Sequence, residues 1–119
     1  MRQKRNRLKT YYHRQAIPQK DSEGSSYLVY GPATSIDAEM WTAGGKVQME
    51  MYGQRLPNIR NLRIGGDYRE VSNGYKISNG PLITVNDGIC LYVPGEENPD
   101  YRIVAIYPYR FLTLEVEKI

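Results

Sequence analysis

The chain has 119 residues, 40% of them hydrophobic and 24% charged, which is enough for one domain with a modest core and leaves little room for two. No stretch approaches the ~20 apolar residues of a membrane-spanning helix, and the first 20 residues lack the apolar segment of a secretory signal, so we expect no export by that route. One cysteine and one histidine exclude an internal disulfide framework and the usual metal clusters, so we expect neither a metal ion nor a cofactor.

Positive charge is concentrated at the start of the sequence. The first 20 residues contain seven basic residues and no acidic one, whereas residues 21–119 contain nine basic and 13 acidic residues and carry a formal charge of −4. Basic arms of this kind often contact nucleic acid or an acidic protein surface, although an arm that is only solvated fits the pattern equally well. We therefore divide the chain into a basic arm, residues 1–6, and a β-domain, residues 7–119. The candidate contact residues are Arg2, Lys4, Arg5, Arg7 and Lys9.

The first half of the β-domain is predicted as strands separated by turns. Residues 8–17 form a strand that ends before a proline, and residues 19–26 form a polar connection with Asp and Gly turn chemistry. Residues 27–30 are a short strand or a loop edge. Residues 34–42 alternate between apolar and polar side chains, as a strand does. Residues 46–52 have spacings that suit both a strand and a helical turn, and the sequence leaves them open.

The second half continues this pattern through frequent Gly, Pro, Asn and Asp residues. Residues 72–81 are a polar stretch with two Asn-Gly pairs, which are strong turn signals. The remaining strands are predicted at residues 62–64, 68–71, 82–85, 89–93, 101–107 and 111–119. Six to seven short antiparallel strands with long loops, and at most one short helical turn, predict an all-β fold, a small single-domain β-barrel.

The apolar phase of these strands predicts which side chains face inward. The predicted core consists of Ile36, Ala38, Met40, Ile89, Leu91, Ile103, Ala105, Leu112 and Leu114.

No side-chain pattern typical of catalysis is present, so we expect a protein that is not an enzyme. Cys90 and His13 are a conceivable nucleophile and base, but Cys90 belongs to an apolar strand, where a buried and inert thiol is expected. Glu115 and Glu117 alternate with apolar residues on the last strand. We expect them to be solvated charges on its outward face.

The order of three groups of residues carries a resemblance to a known family, over roughly residues 7–116. These groups are Arg7 to Arg14 with Asp21 and Gly24; Ala38-Glu39-Met40-Trp41 followed by Gly45-Lys46 and Glu50; and Val85-Asn86-Asp87-Gly88-Ile89 followed by Tyr101-Arg102-Ile103-Val104-Ala105-Ile106. In this order they resemble the head–tail joining family of tailed bacteriophages, the head-closure or stopper proteins.

The resemblance implies a structural role in the virion. Members of this family are small β-barrels that assemble as a ring, here of six or twelve copies, beneath the portal and its adaptor. The ring retains packaged DNA and docks the tail. The implied partners are further copies of the chain, portal and adaptor ring proteins, tail completion proteins and double-stranded DNA bound without sequence preference, with no membrane. The implied location is the head–tail interface of a virion assembled in the host cytoplasm.

The resemblance also implies a gating loop, which narrows the channel and follows the strand that carries the tryptophan. Trp41 lies on the strand before residues 44–58, and two adjacent glycines can act as a hinge there. Two alternatives stay open: an ordinary strand or helical turn with two methionines in the core, or a gate at residues 65–81. The candidate gating residues are Gly44, Gly45, Lys46, Met49, Glu50, Met51, Tyr52, Gln54 and Arg55.

A second function stays open beside the structural one. Basic residues interleaved with Tyr11, Tyr12 and His13 are also compatible with a small β-barrel module that binds nucleic acid through the basic arm. Oligomerisation separates the two functions, because a ring protein assembles whereas a binding module shifts a DNA probe as a monomer.

Overall fold

The computed structural model describes residues 7–119, and it confirms the predicted all-β barrel. Six antiparallel strands close the barrel in the order β1-β2-β3-β9-β8-β7, and a small side sheet has the order β4-β5-β6. The strands are β1 (Lys9–Lys20), β2 (Ser26–Thr42), β3 (Ile59–Ile64), β4 (Tyr68–Val71), β5 (Gly74–Ile77), β6 (Leu82–Ile83), β7 (Gly88–Cys90), β8 (Tyr101–Pro108) and β9 (Leu112–Lys118). Between β2 and β3 lie helix α1 (Gly45–Tyr52) and a 3₁₀ helix (Gly53–Asn58).

The barrel interior holds most of the predicted core. Seven of the nine predicted residues are buried, and Met40 is half-buried against the same cluster. The sequence pattern did not assign the side sheet to this core, yet Ile77 and Ile83 are buried in it. The side sheet therefore packs against the barrel wall and does not project into solvent.

Ala105 is the inward prediction that the register contradicts. A β-bulge between Ile103 and Ala105 shifts the pairing of β8 with β9 by one residue. Since a one-residue shift moves every following side chain to the other face, Ala105 pairs with Glu115 and Ile106 pairs with Leu114. Ile106 therefore packs against the core in place of Ala105.

Strands β1 and β2 are longer than predicted and form a two-stranded ribbon beyond the barrel. β1 continues through Pro18, which pairs with Leu28. Strand β2 is continuous where two separate segments, 27–30 and 34–42, were expected. A register shift opposite Gly31 and Pro32 accommodates this proline within the strand. Past this shift β1 and β2 pair only with each other, and the ribbon reaches the turn that begins at Asp21.

Three further strands, β5, β6 and β7, differ from the predicted ones because of the turns between them. The stretch at residues 72–81 was predicted as a loop but contains β5 between its two Asn-Gly pairs. The strands predicted at 82–85 and 89–93 are shorter, because Asn86, with φ of 79°, and Asp87 form the turn between them. No helix of residues 7–119 is long and apolar enough to cross a membrane.

Candidate functional site

Residues 44–58, predicted to form a gating loop or an ordinary strand or helical turn, adopt helical structure against the outer wall of the barrel. Helix α1 and the 3₁₀ helix lie over the face of β3 and β9 that points away from the core. Asn61 pairs with Glu115 on that face, and Ile59 pairs with Glu117. All four side chains are buried there. The outward face of this part of the barrel is thus covered by the helical segment.

Glu115 is the centre of a polar network between α1 and the barrel. The side-chain amide of Gln48 donates to its Oε2 at 2.6 Å. The hydroxyls of Tyr52 and Tyr107 donate to its Oε1 at 2.8 and 2.7 Å. A hydrogen bond from Gln48 to Asn61, at 2.7 Å, ties the same amide to β3.

The Glu115 carboxylate raises the pKa of both tyrosines. The hydrogen bond to Glu115 and the burial of the ring raise the pKa of Tyr107 to about 12. Burial, followed by the hydrogen bond to Glu115, raises the pKa of Tyr52 above its ordinary value as well. In each case ionisation would place a phenolate directly against a carboxylate.

Glu117 holds the other end of the helical segment. Arg55 donates to both of its carboxylate oxygens, at 2.7 and 2.6 Å, and Arg102 forms a second ion pair at 3.2 Å. The hydrogen bond from Arg55 keeps the pKa of Glu117 below its ordinary value. The prediction that Glu115 and Glu117 are solvated is wrong. They do face away from the core, but α1 and the 3₁₀ helix cover them.

The apolar residues of α1 point to solvent. Val47 is 69% exposed, Met49 60% and Met51 52%, and the helix has no buried residue. The alternative that placed Met49 and Met51 in the barrel core is therefore wrong, although its helical turn is present. Polar contacts attach the helix to the barrel and leave its apolar side chains available.

The other candidate gating residues lie near the contacts that attach the helical segment to Glu115 and Glu117. The backbone amide of Gly44 donates to the side chain of Gln48 at 2.9 Å, and Gly45 has a φ of 85° that favours glycine. Lys46, Glu50 and Gln54 are exposed. Of the nine candidates, Tyr52 and Arg55 bind the barrel carboxylates directly. The alternative gate at residues 65–81 contains β4 and β5 of the side sheet.

The β1–β2 ribbon exposes a second group of apolar side chains. Tyr27, Leu28 and Val29 are consecutive and are 49%, 47% and 38% exposed. The guanidinium of Arg14 fixes the base of the ribbon by donating to the carbonyls of Gly31, Tyr30 and Glu97 at 2.7, 3.0 and 2.9 Å.

His13 is bound to Asp87 inside the barrel wall. His13 Nε2 lies 2.6 Å from Asp87 Oδ2, and the two side chains are 2% and 0% exposed. Cys90 is buried, and burial raises the pKa of its thiol, so the thiol is the unreactive form expected from the sequence. His13 has its hydrogen bond to Asp87, and Cys90 Sγ faces the carbonyl of Glu97.

Most of the basic arm lies outside the described residues. Arg2, Lys4 and Arg5 are not described by the structure. Arg7 forms an ion pair with Glu39 at 3.6 Å, and its side chain is 59% exposed. Lys9 is exposed at the start of β1.

Sequence reasoning missed the polar residues that attach α1. Gln48, Glu115 and Glu117 gave no signal beyond their polarity, because the strand alternation that placed the two glutamates outward does not reveal a covering helix. Asp87 lies in an Asn-Asp-Gly run, and nothing in that local pattern reveals its partner His13, which is 74 positions away. No protein-family model matches the chain, and no curated protein or solved structure is significantly similar to it.

Proposed function

We propose that this chain is a structural subunit of a homo-oligomeric ring, and that the ring closes the head of a tailed bacteriophage below the portal and its adaptor. The proposal to assemble rests on one observation above all. Helix α1 exposes three large apolar side chains and buries none of its residues. Solvent-exposed apolar groups of this size mark interaction surfaces, and methionine is enriched at such interfaces.

The β1–β2 ribbon supports the same proposal. A two-stranded ribbon is marginally stable in water, and this ribbon adds three exposed apolar residues, Tyr27, Leu28 and Val29. Contact with a neighbouring subunit would cover these side chains and stabilise the ribbon. Two separate apolar surfaces on one subunit suit the head-to-tail contacts from which closed rings are built.

The assignment to a phage neck rests on the resemblance in sequence order. In that assignment residues 44–58 are the gate: the α1 helices of neighbouring subunits contact each other around the channel and narrow it. The basic arm contacts the adaptor or the packaged DNA. The described body favours the structural role over the nucleic-acid module, because residues 7–119 contain 13 basic and 13 acidic residues and have no excess of positive charge.

The test measures assembly of the purified chain. Light scattering after size-exclusion chromatography, over a range of protein concentrations, gives the mass of the oligomer. Negative-stain electron microscopy then shows whether the oligomer is a closed ring with a central channel. The variant Met49→Ser/Met51→Ser is expected to shift the mass toward the monomer. The matched control is Val85→Ser, which removes an apolar side chain that is 49% exposed in the turn region before β7 and is expected to assemble normally.

The specific role is tested by adding the chain to phage heads that carry a portal and adaptor and contain packaged DNA. The wild-type chain is expected to protect the DNA from an added nuclease, whereas the methionine variant leaves it accessible. A chain that stays monomeric at all concentrations and shifts a DNA duplex would contradict the ring and favour the nucleic-acid module.

A further inference from the structure

An open groove of about 280 Å³ lies between α1 and the barrel, and it shares Val47 and Met51 with the α1 surface that the proposed function assigns to assembly. Its rim is apolar and aromatic, and its floor is polar. The rim includes Trp41 at the end of β2, Val47 and Met51 of α1, and the rings of Tyr107 and Tyr109. The floor includes Gln48, Asn61 and Glu115.

Among the residues that the structure describes, the negative charge on the floor of the groove has no positive partner. Glu115 is 3% exposed, and its three hydrogen-bond donors, Gln48, Tyr52 and Tyr107, are all neutral. Within residues 7–119 it takes part in no ion pair, in contrast to Glu117, which has two arginines. A carboxylate offers about four acceptor sites, so about one remains for a ligand. Buried carboxylates are usually paired with a cation, which makes this one unusual.

The walls suit a cation as well. The rings of Tyr107 and Tyr109 are stacked, with centroids 5.6 Å apart and planes 12° apart, and both line the groove. Trp41 is 37% exposed at the same rim. Its ring already accepts the guanidinium of Arg63 at 5.1 Å, and Arg63 is not among the residues that line the groove. Aromatic faces attract ammonium and guanidinium groups through their quadrupole, tryptophan most strongly.

We propose that this groove binds the cationic head of an arginine or lysine side chain, with the Glu115 carboxylate as its counter-charge. The methylene stem of the side chain packs against the exposed ring surfaces of the rim, and the cationic head donates to the free acceptor site of the carboxylate. All residues that line the groove belong to one subunit, so binding is measured on a monomer and its failure is distinguishable from a failure to assemble. The basic side chain can come from the N-terminal arm of a copy of this chain or from another protein.

The experiment uses the single tryptophan of the chain as a reporter, because Trp41 lines the groove. The indole N–H resonance and the fluorescence of Trp41 are followed while Nα-acetyl-arginine methylamide is added to the full chain. The corresponding citrulline compound, which has the same shape without the charge, is the ligand control. Saturable changes with the arginine compound, and at least tenfold weaker changes with the citrulline compound, are expected.

Two variants test the site itself. Glu115→Gln removes the charge with little change in shape, and we expect at least tenfold weaker binding. Tyr109→Ser removes an exposed wall, since Tyr109 is 61% exposed, and we expect binding weakened severalfold with the fold intact. Glu97→Gln is the matched control, because it removes an exposed carboxylate that does not line the groove. Far-ultraviolet circular dichroism verifies that each variant is folded.

A further variant identifies the source of the side chain. Arg2→Gln/Lys4→Gln/Arg5→Gln neutralises the arm in the full chain. Tighter binding of the arginine compound by this variant than by the wild type shows that the arm competes for the groove, whereas equal binding points to another protein. The proposal is overturned if the arginine compound gives a saturable change with neither the wild type nor the arm variant. It is also overturned if the citrulline compound binds as tightly as the arginine compound, or if Glu115→Gln and Tyr109→Ser both bind the arginine compound like the wild type.

Discussion

Asp87 organises the part of the barrel wall where β1 meets the turn before β7. Its Oδ2 lies 2.6 Å from His13 Nε2 and accepts the backbone amide of Thr84 at 3.0 Å. Its Oδ1 accepts the backbone amide of Ala16 at 3.0 Å and the hydroxyl of Thr84 at 2.8 Å. The carboxylate is fully buried and has all its acceptor sites occupied. One side chain thus connects β1 to the turn before β7, two segments that are distant in sequence.

Asp87→Asn is expected to lower the free energy of unfolding by about 3 kcal/mol, because an amide group directs its N–H toward donors that the carboxylate had satisfied. Urea unfolding, monitored by circular dichroism, measures this difference. The control is Asp67→Asn, which removes a charge from an exposed loop residue and is expected to change the stability by less than about 0.5 kcal/mol. Equal stabilities of the two variants would contradict the role assigned to Asp87.

The same residue makes the stability sensitive to acid. Burial acts to raise the pKa of Asp87, but the hydrogen bonds from His13 and from the amides of Ala16 and Thr84 outweigh it, so the pKa lies below its ordinary value. A carboxyl group with a lowered pKa stabilises the fold above its unfolded pKa, about 4, and loses that contribution as the pH falls toward the folded pKa. We expect the wild type to lose stability in urea unfolding below about pH 4. The Asp87→Asn variant should lose less over the same range.

Helix α1 shows how polar contacts decide a structure that the sequence leaves open. Val47, Met49 and Met51 alternate as in a strand, while Val47 and Met51 are also four residues apart as in a helix. Gln48 and Tyr52 are four residues apart too, which places them on one face of a helix. Both bind Glu115 on β9. The choice of helix depends on a carboxylate 67 positions from Gln48, and no local pattern of residues 46–52 contains that information.

Because α1 is attached to the barrel, removal of residues 48–54 is expected to destabilise the domain. The deletion takes away two of the three donors to Glu115 and shortens the connection that holds Arg55 against Glu117. Loss of DNA retention in such a deletion would therefore not distinguish a gate from a damaged fold. The exposed pair Met49 and Met51 is the sharper target, since its substitution leaves the polar attachment in place.

The network at Glu115 also predicts the alkaline behaviour of the protein. The pKa of Tyr107 is raised to about 12, and that of Tyr52 is raised as well, so both tyrosines stay protonated when an exposed tyrosine ionises near pH 10. A group with a raised pKa stabilises the fold fully below its unfolded pKa, and this contribution is lost as the pH rises through the folded pKa. We expect the stability to fall above about pH 10.

Absorbance of phenolate near 295 nm measures this titration across the 11 tyrosines of the chain. Glu115→Gln is expected to shift the last ionisation steps toward lower pH, because the phenolates no longer face a carboxylate. Tyr92→Phe is the control, because it removes a tyrosine that is 61% exposed and makes no contact with Glu115, and it should leave the ionisation of Tyr52 and Tyr107 unchanged. An unchanged alkaline limb in Glu115→Gln would rule out the network.

The architecture as a whole follows from strand periodicity, whereas its exceptions do not. Alternation identified the second half of β2, β8 and β9 and the side of each that begins in the core. It failed after Ile103, because a bulge inverts the two faces of β8 and exchanges Ala105 for Ile106. It also failed to join the halves of β2, since a proline within a strand normally indicates an end and here lies opposite a register shift.

The barrel is closed by its shortest ladders. β7 pairs with β1 over three residues and with β8 over two, whereas β9 pairs with β3 over five and with β8 over seven. Side chains compensate at this closure, where Arg14 reaches the carbonyl of Glu97 and Asp87 reaches the amide of Ala16. Few ladder bonds imply that β7 opens locally at a lower free energy than the global unfolding of the domain.

Native-state hydrogen exchange, measured by nuclear magnetic resonance, is expected to show different amide exchange rates in different strands of the barrel. Amides of β3 and β9 should exchange only through global unfolding, and amides of β7 should exchange faster. Ile103→Ala, which truncates a fully buried side chain, should cost about 2–5 kcal/mol and accelerate exchange in every strand. Arg14→Ala removes the contacts across the closure, so it should accelerate exchange mainly in β7 and at the base of the ribbon. If Arg14→Ala accelerated exchange equally in β3 and β9, the closure would open only with the whole barrel, and the six strands would form a single cooperative unit.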